Sequence, residues 1–247
     1  MAKFAHDTVV PYKQSGLSKK EQVAGMFDKI AFRYDFLNRF LSAGIDVGWR
    51  KKAIKELAPL KPQNLLDVAT GTADVAIMAH KILQPKKITG IDISVGMLDI
   101  GRTKVAKLGL EEQIELLTGD SEVINFADDT FDAVTVAFGV RNFEHLERGL
   151  MEMRRVLKPG GKIVILEFSK PRQPLFKAVY NIYMNTVAPG FGKLFAKNGD
   201  AYQYLNDSVQ RFPEGQEFIS ILATAGFSGI YLRPLTLGIC TIYCGIK

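Results

Sequence analysis

Short, almost continuous apolar runs recur through the middle of the chain: NLLDVAT (64–70), KITGIDIS (87–94), IELLTGDS (114–121), FDAVTVAF (131–138) and GKIVILEFS (161–169). Runs of this length and continuity predict strands of a parallel sheet buried on both faces. Helical spacing fills the intervals at 74–83, 95–108 and 144–157, and in KPGG the residues Pro159 and Gly160 are expected to stop the last of these helices. Strand and helix in alternation predict an α/β, doubly wound fold, with ligands at the carboxyl ends of the strands. Towards the end of the chain, EGQEFISILATAGF (214–227) is a helix pattern closed by Gly226. The runs 228–234 and 237–246 follow as a hairpin, which requires at least one antiparallel strand in the sheet.

Two regions flank this core. Residues 18–58 predict helices, with Val23, Phe27, Ile30, Tyr34, Leu37 and Leu41 at three- and four-residue spacing, the pattern of an amphipathic helix packing on a core. Residues 173–210 form an insertion rich in Phe, Tyr and Met. We expect one domain over 1–247: an N-terminal helical cap (18–58), a cofactor-binding core (60–172), the helical insertion (173–210), and a C-terminal helix with its hairpin (211–247).

At 247 residues, 47% hydrophobic and 23% charged, the chain is ordinary for one globular domain. The longest membrane-span candidate, 178–192, is short, polar in places and broken by Pro189. The opening residues lack the apolar core of a secretory signal, so a cytoplasmic location is expected. Cys240 and Cys244 stand four apart in a strand-like run and share a face. With the three histidines scattered, they predict buried free thiols and no metal. The net charge of +6 is uneven: residues 1–60 and 170–199 each carry a surplus of five positive charges, and the remainder is acidic. Such segments suit an anionic membrane surface, nucleic acid or plain solvation.

The candidate chemistry lies at the strand ends. LLDVATGTADVA places Asp67, Gly71 and Thr72 at the turn from strand to helix, where glycine permits close backbone approach and the helix start offers free N–H groups. It is not the three-glycine pattern, since positions 69 and 73 are alanine. Asp92, twenty-one residues after Gly71 at the end of the second strand, is placed to accept hydrogen bonds from ribose hydroxyls. Asp120 and Ser121, after the third strand, can meet an adenine amino group. A carboxylate near the loop, Asp67, would repel a pyrophosphate but tolerate a cationic amino acid portion. These features favour S-adenosylmethionine as the ligand. The fourth strand ends in TVAFGVRNFEH, which presents Arg141 and Asn142 and contains no serine, cysteine or carboxylate pair suited to a covalent mechanism.

The chain resembles the menaquinone/ubiquinone-biosynthesis C-methyltransferases, within the class I S-adenosylmethionine-dependent methyltransferases. The resemblance runs from about Val23 to Lys247 and rests on VAGMFDKIAFRYDFLN, DVGWRKK, LLDVATGTAD, IDISVGML, GDSEVINFADDTFD, AFGVRNFEH, RVLKPGGKIVILEFS, YQYLNDSVQRFP and GICTIYCGIK. FGVRN, the Tyr34-Asp35…Asn38 segment and YQYL…FP are the most specific of these. The resemblance implies a Rossmann-like, seven-stranded, mostly parallel sheet ending in a hairpin. It also implies cofactor contacts by Thr72, Asp92, Asp120 and Ser121.

The implied reaction is methylation of a ring carbon of a prenylated hydroquinone, which needs the quinol anion rather than a protein nucleophile. Arg141 then stabilises a developing phenolate or orients a water, Asn142 fixes a hydroxyl or carbonyl, and Tyr34 and Asp35, on an N-terminal helix expected to cover the site, help complete it. Alternatively, Arg141 pairs with Glu144, Glu147 or another carboxylate and caps its loop. The loop GTAD leans towards demethylmenaquinol over the methoxy-benzoquinol precursor of ubiquinone. A prenylated substrate gives the basic segments a role in peripheral membrane contact. A homo-oligomer remains compatible with the sequence. A nucleic-acid methyltransferase is disfavoured because Phe138-Gly139-Val140-Arg141 stands where base-modifying enzymes resemble Asn/Asp-Pro-Pro-aromatic, so no nucleic-acid partner is expected. The incomplete glycine pattern weakens a nicotinamide oxidoreductase, and turnover would separate the enzyme from a non-catalytic cofactor-binding protein.

Overall fold

The computed structural model describes residues 4–42, 44–171 and 199–247. The five central apolar runs form the strands β1 (Asn64–Val68), β2 (Lys87–Asp92), β3 (Ile114–Thr118), β4 (Phe131–Ala137) and β5 (Leu157–Phe168). All pair in parallel. The C-terminal hairpin supplies β6 (Ser228–Leu235) and β7 (Cys240–Ile246), and β7 inserts antiparallel between β5 and β6. The strand order is β3-β2-β1-β4-β5-β7-β6. The chain winds outward from β1 to β3 and then returns to β4 on the other side of β1. That reversal leaves a crevice above the carboxyl ends of β1 and β4, the place where open α/β sheets bind ligands.

Period-two alternation fills both faces of the sheet. Leu65 faces one hydrophobic cluster with Ile54, Ala76, Leu98 and Val164. Leu66, its neighbour, faces the other with Leu150, Met153, Phe218 and Tyr243. Both leucines are wholly buried, each contributing about 2 kcal/mol of transfer free energy. The first face is covered by α2 (Ile45–Lys55), α3 (Asp74–Leu83) and α4 (Val95–Lys107), the second by α5 (Leu146–Val156) and, after the undescribed stretch, α7 (Gln216–Thr224). Cys240 and Cys244 are free and buried in the first cluster, on one face as their spacing requires.

Two expectations are corrected. KPGG does not separate helix from strand: α5 ends at Val156 and β5 begins at once with Leu157, which pairs with Phe131. Regular pairing resumes only at Lys162 opposite Ala133, so the Pro159–Gly161 turn bulges out within the strand. The second concerns the apolar stripe of α1 (Lys19–Leu41), the helix expected to cover the site: the stripe does more than pack on a core. Val23 and Met26 are buried, but Val23, Phe27 and Tyr34 line the cleft described below. The side chains of Leu37 and Leu41, and residues 172–198 of the expected insertion, lie outside the described residues. The insertion's last part is α6 (Gly199–Arg211). Among the described residues no helix is long and apolar enough to cross a membrane.

Candidate active site

The turn after β1 takes an unusual course for its composition. Ala69, Gly71 and Ala73 all have left-handed backbone, with φ of 53°, 56° and 63°. Glycine adopts that conformation freely, whereas each alanine there costs about 1 kcal/mol. Buried hydrogen bonds hold the turn. Thr70 Oγ1 and Thr135 Oγ1 each donate to Asp67 at 2.7 Å, Thr70 N donates to Ile91 O at 3.0 Å, and Gly71 N donates to Asp92 Oδ2 at 2.8 Å. Asp67 is 1% exposed and is not among the cleft-lining residues. It braces the turn from behind, and burial, with Asp92 nearby, pushes its carboxyl up to about 6 despite the two threonines.

Asp92 stands on the cleft wall with each oxygen held by a backbone N–H, from Ser94 at 2.9 Å and from Gly71 at 2.8 Å. Burial raises its pKa against those amides. The next turn brings Asp120 and Ser121 to the same wall, beside the apolar side chains of Ile93, Met97 and Phe143.

Helix α1 is strapped across these turns by three polar residues two turns apart, which share one face. Lys20 reaches Asp120 and, at 3.3 Å, Glu122. Asp28 Oδ1 accepts from Ser94 Oγ at 2.6 Å and from Gly96 N at 2.9 Å. Asp35 accepts from Thr72 Oγ1 at 2.6 Å and pairs with Lys104. The Thr72 hydroxyl therefore ties loop to strap, and Thr72 is not on the cleft wall.

At the end of β4, Phe138 also has a positive φ of 59°. Gly139 follows because a Cβ there would lie 2.6 Å from Ala69 Cβ, so the two loops touch. The short helical turn Val140–Asn142 then carries Arg141 inward. Arg141 Nη1 donates to Glu167 Oε1 at 2.7 Å and to Phe138 O at 2.6 Å, and the guanidinium lies over the Phe168 ring. Burial opposes its charge, but Glu167 beside it holds its pKa above the ordinary value. Arg141 thus has the carboxylate partner of the alternative reading, although the partner is Glu167 rather than Glu144 or Glu147. Asn142, its neighbour, lines the cleft, and its Oδ1 accepts from the buried Tyr204 Oη at 3.1 Å.

The cleft so formed is partly open to solvent, and its wall mixes a few convergent polar groups with apolar side chains, the make-up of a small-molecule site. Of the residues the sequence singled out, Tyr34, Gly71, Asp92, Asp120, Ser121 and Asn142 line it, while Asp67, Thr72 and Arg141 stand behind it. Sequence reasoning missed Lys20, Phe27, Glu122 and Tyr204. Tyr204 belongs to YQYL, a segment noted for its specificity but with no role assigned.

The profile of the ubiE/COQ5 methyltransferase family matches residues 15–247. A demethylmenaquinone methyltransferase from Bacteroides fragilis is 48% identical over 244 residues, covering 99% of each chain. A ubiquinone/menaquinone biosynthesis C-methyltransferase UbiE from Geotalea daltonii is 49% identical over 230 residues, 93% of this chain and 97% of that one. Among solved structures, an S-adenosylmethionine-dependent methyltransferase from Thermotoga maritima superposes with a TM-score of 0.62 at 20% identity, covering 90% of this chain and 99% of its own. That likeness concerns the fold, a Rossmann-like class I methyltransferase sheet. The two relatives run nearly end to end with the chain whose cleft was built above, and with the profile they place it: the chain belongs to the ubiE/COQ5 methyltransferase family.

Proposed function

We propose that the chain transfers the methyl group of S-adenosylmethionine to a ring carbon of a prenylated hydroquinone, with demethylmenaquinol as the substrate and menaquinol as the product. The near full-length likeness to the Bacteroides fragilis demethylmenaquinone methyltransferase carries the menaquinol reading. The cleft fits the cofactor: Asp92 is a carboxylate already fixed by two amides, with lone pairs left for a ribose diol, and Asp120 and Ser121 offer acceptors beside an apolar wall. Thr72 and Asp67 support this site from behind, through the strap and the turn. When bound, S-adenosylmethionine supplies an electrophilic methyl on a sulfonium.

The protein's task is to make the ring carbon nucleophilic. A quinol hydroxyl must lose or share its proton, the carbon takes the methyl, and the ring C–H proton leaves as aromaticity returns. Asn142 and Tyr34 are the polar groups at the wall that meet the substrate oxygens. Arg141, neutralised by Glu167, contributes mainly by holding the Phe138–Asn142 turn in place. Labelled S-adenosylmethionine with both quinol precursors tests the reading, using wild type, Asn142→Ala and Arg141→Ala. Absence of a methylated quinone from either precursor would overturn it, and turnover of the methoxy-benzoquinol alone would overturn the menaquinol assignment.

The prenyl tail keeps the substrate at a lipid surface, so we extend the proposal to a cytoplasmic protein that attaches reversibly to the membrane through its basic segments. Supporting it, Phe32 is 90% exposed on α1 between Lys29 and Arg33; the second basic segment falls mostly outside the described residues. Co-sedimentation with phosphatidylglycerol vesicles at low salt, lost in Phe32→Glu, is the expected result. No binding by wild type would count against it.

A further inference from the structure

The Tyr204–Asn142 contact bears on how the substrate oxygen is held. Tyr204 sits on α6, 3% exposed, with its hydroxyl 3.1 Å from Asn142 Oδ1. Burial raises its pKa far above the tyrosine range, so it stays a donor. An asparagine amide has an accepting end and a donating end. Here the donating end lies 3.4 Å from Phe138 O, a carbonyl that Arg141 Nη1 already occupies at 2.6 Å. Turned over, the amide would set its oxygen against that carbonyl, acceptor to acceptor. It would also leave the buried tyrosine proton without an acceptor. The contacts on both sides therefore fix one orientation, which leaves the second N–H of this cleft-lining side chain without a partner among the described residues.

We propose that Tyr204 is a positioning residue for the methyl transfer: its O–H locks the Asn142 amide so that an N–H, not the carbonyl oxygen, meets the ionising oxygen of the quinol. This rests on the function proposed above. Without the lock, the amide rotates and in part presents an oxygen to the forming phenolate, which repels it.

The test is Tyr204→Phe, with Tyr204→Met as a second variant of similar bulk and a thermal melt on each. In the methylation assay we expect kcat at neutral pH to fall about tenfold, as for a weakened anion-stabilising donor. KM for S-adenosylmethionine should stay unchanged. The deficit should close at high pH, where the quinol ionises unaided. In an Asn142→Ala background the tyrosine change should cost less than twofold. Independently of turnover, 4-nitro-1-naphthol bound in the presence of S-adenosylhomocysteine reports its own ionisation by absorbance. Its apparent pKa should be about one unit lower on wild type than on Tyr204→Phe. A folded Tyr204→Phe with wild-type kcat, pH profile and probe ionisation overturns the inference, as does an undiminished loss in the Asn142→Ala background. Failure of wild type to methylate any quinol instead overturns the proposed function, and the probe still decides the role of Tyr204.

Discussion

Arg141 Nη1 and Glu167 Oε1 form an ion pair of 2.7 Å between side chains that are 5% and 0% exposed. The same carboxylate lies 2.9 Å from its own strand's Phe168 N, so the pair joins the turn after β4 to the end of β5. Removing one member of such a pair leaves a buried charge without a partner, which costs about 3–5 kcal/mol. Replacing both by apolar residues of similar size costs much less. Denaturant titration should therefore show Glu167→Ala and Arg141→Ala each losing several kcal/mol, and Arg141→Met/Glu167→Leu recovering more than half of that. Additive losses would refute the pairing. The practical consequence is that a dead Arg141→Ala enzyme does not by itself identify a catalytic arginine.

The cofactor wall has a different sensitivity. Asp92 holds Gly71 N and Ser94 N while facing the cleft, so truncation removes both the ligand acceptor and the restraint on the turn. Asp92→Ala should weaken S-adenosylhomocysteine binding about 10- to 100-fold by calorimetry, the worth of one or two charge-assisted hydrogen bonds. Asp92→Asn retains one acceptor and should lose less. Equal affinity in Asp92→Ala and wild type would remove Asp92 from the site.

Much of this was legible in the sequence. Strand runs and helical spacing located all seven strands and the helices of the core, because buried parallel strands leave an apolar signature that survives without any contact information. The acids at successive strand ends were legible for the same reason: Asp92 and Asp120 follow apolar runs at the place where the sheet stops. What could not be read was direction. Asp67 and Asp92 each stand in or at the end of a strand, yet one turns behind the loop and the other into the cleft. Register against Thr135 and the left-handed turn decide that. Likewise Arg141 and Glu167 are twenty-six residues apart, and their pairing follows from β4 and β5 lying side by side. That the N-terminal helix covers the site was legible, but not which residues hold it there, because an apolar stripe looks alike whether it covers a core or a ligand.

The strap can be loosened without touching the cleft. Gly96 opens the second turn-spacing of that contact series, and a Cβ there would lie 3.0 Å from Asp28 Oδ1 and 3.4 Å from Asp28 Cα. Gly96→Val crowds Asp28 and is expected to loosen α1 against α4. Hydrogen exchange should then quicken in α1 between Lys20 and Asp35 while β1 and β4 stay protected. Affinity for S-adenosylhomocysteine should fall about fivefold, near 1 kcal/mol. Unchanged exchange in α1 would show that the helix is held by other contacts.

Asp67 ties stability to pH with an unusual sign for a carboxylate. Its pKa in the folded protein is about 6, against an ordinary 3.8, because burial penalises the charged form more than its two threonine donors favour it. Between these values the folded state keeps a proton that the unfolded chain has already released. Folding stability from this group is therefore fully present below pH 3.8 and falls as pH rises through 6, by about 3 kcal/mol in all. Asp92 is shifted in the same direction and is present in both proteins. Asp67→Asn cannot ionise, and the threonine hydroxyls can turn to serve its amide, so it should lose this part of the pH dependence. Measured by denaturant titration, the stability of Asp67→Asn relative to wild type should rise by about 2 kcal/mol between pH 4.5 and pH 7.5, the remainder of the effect lying below pH 4.5. Parallel pH curves for the two proteins would mean that Asp67 is ionised throughout, held by a neighbour other than the two threonines.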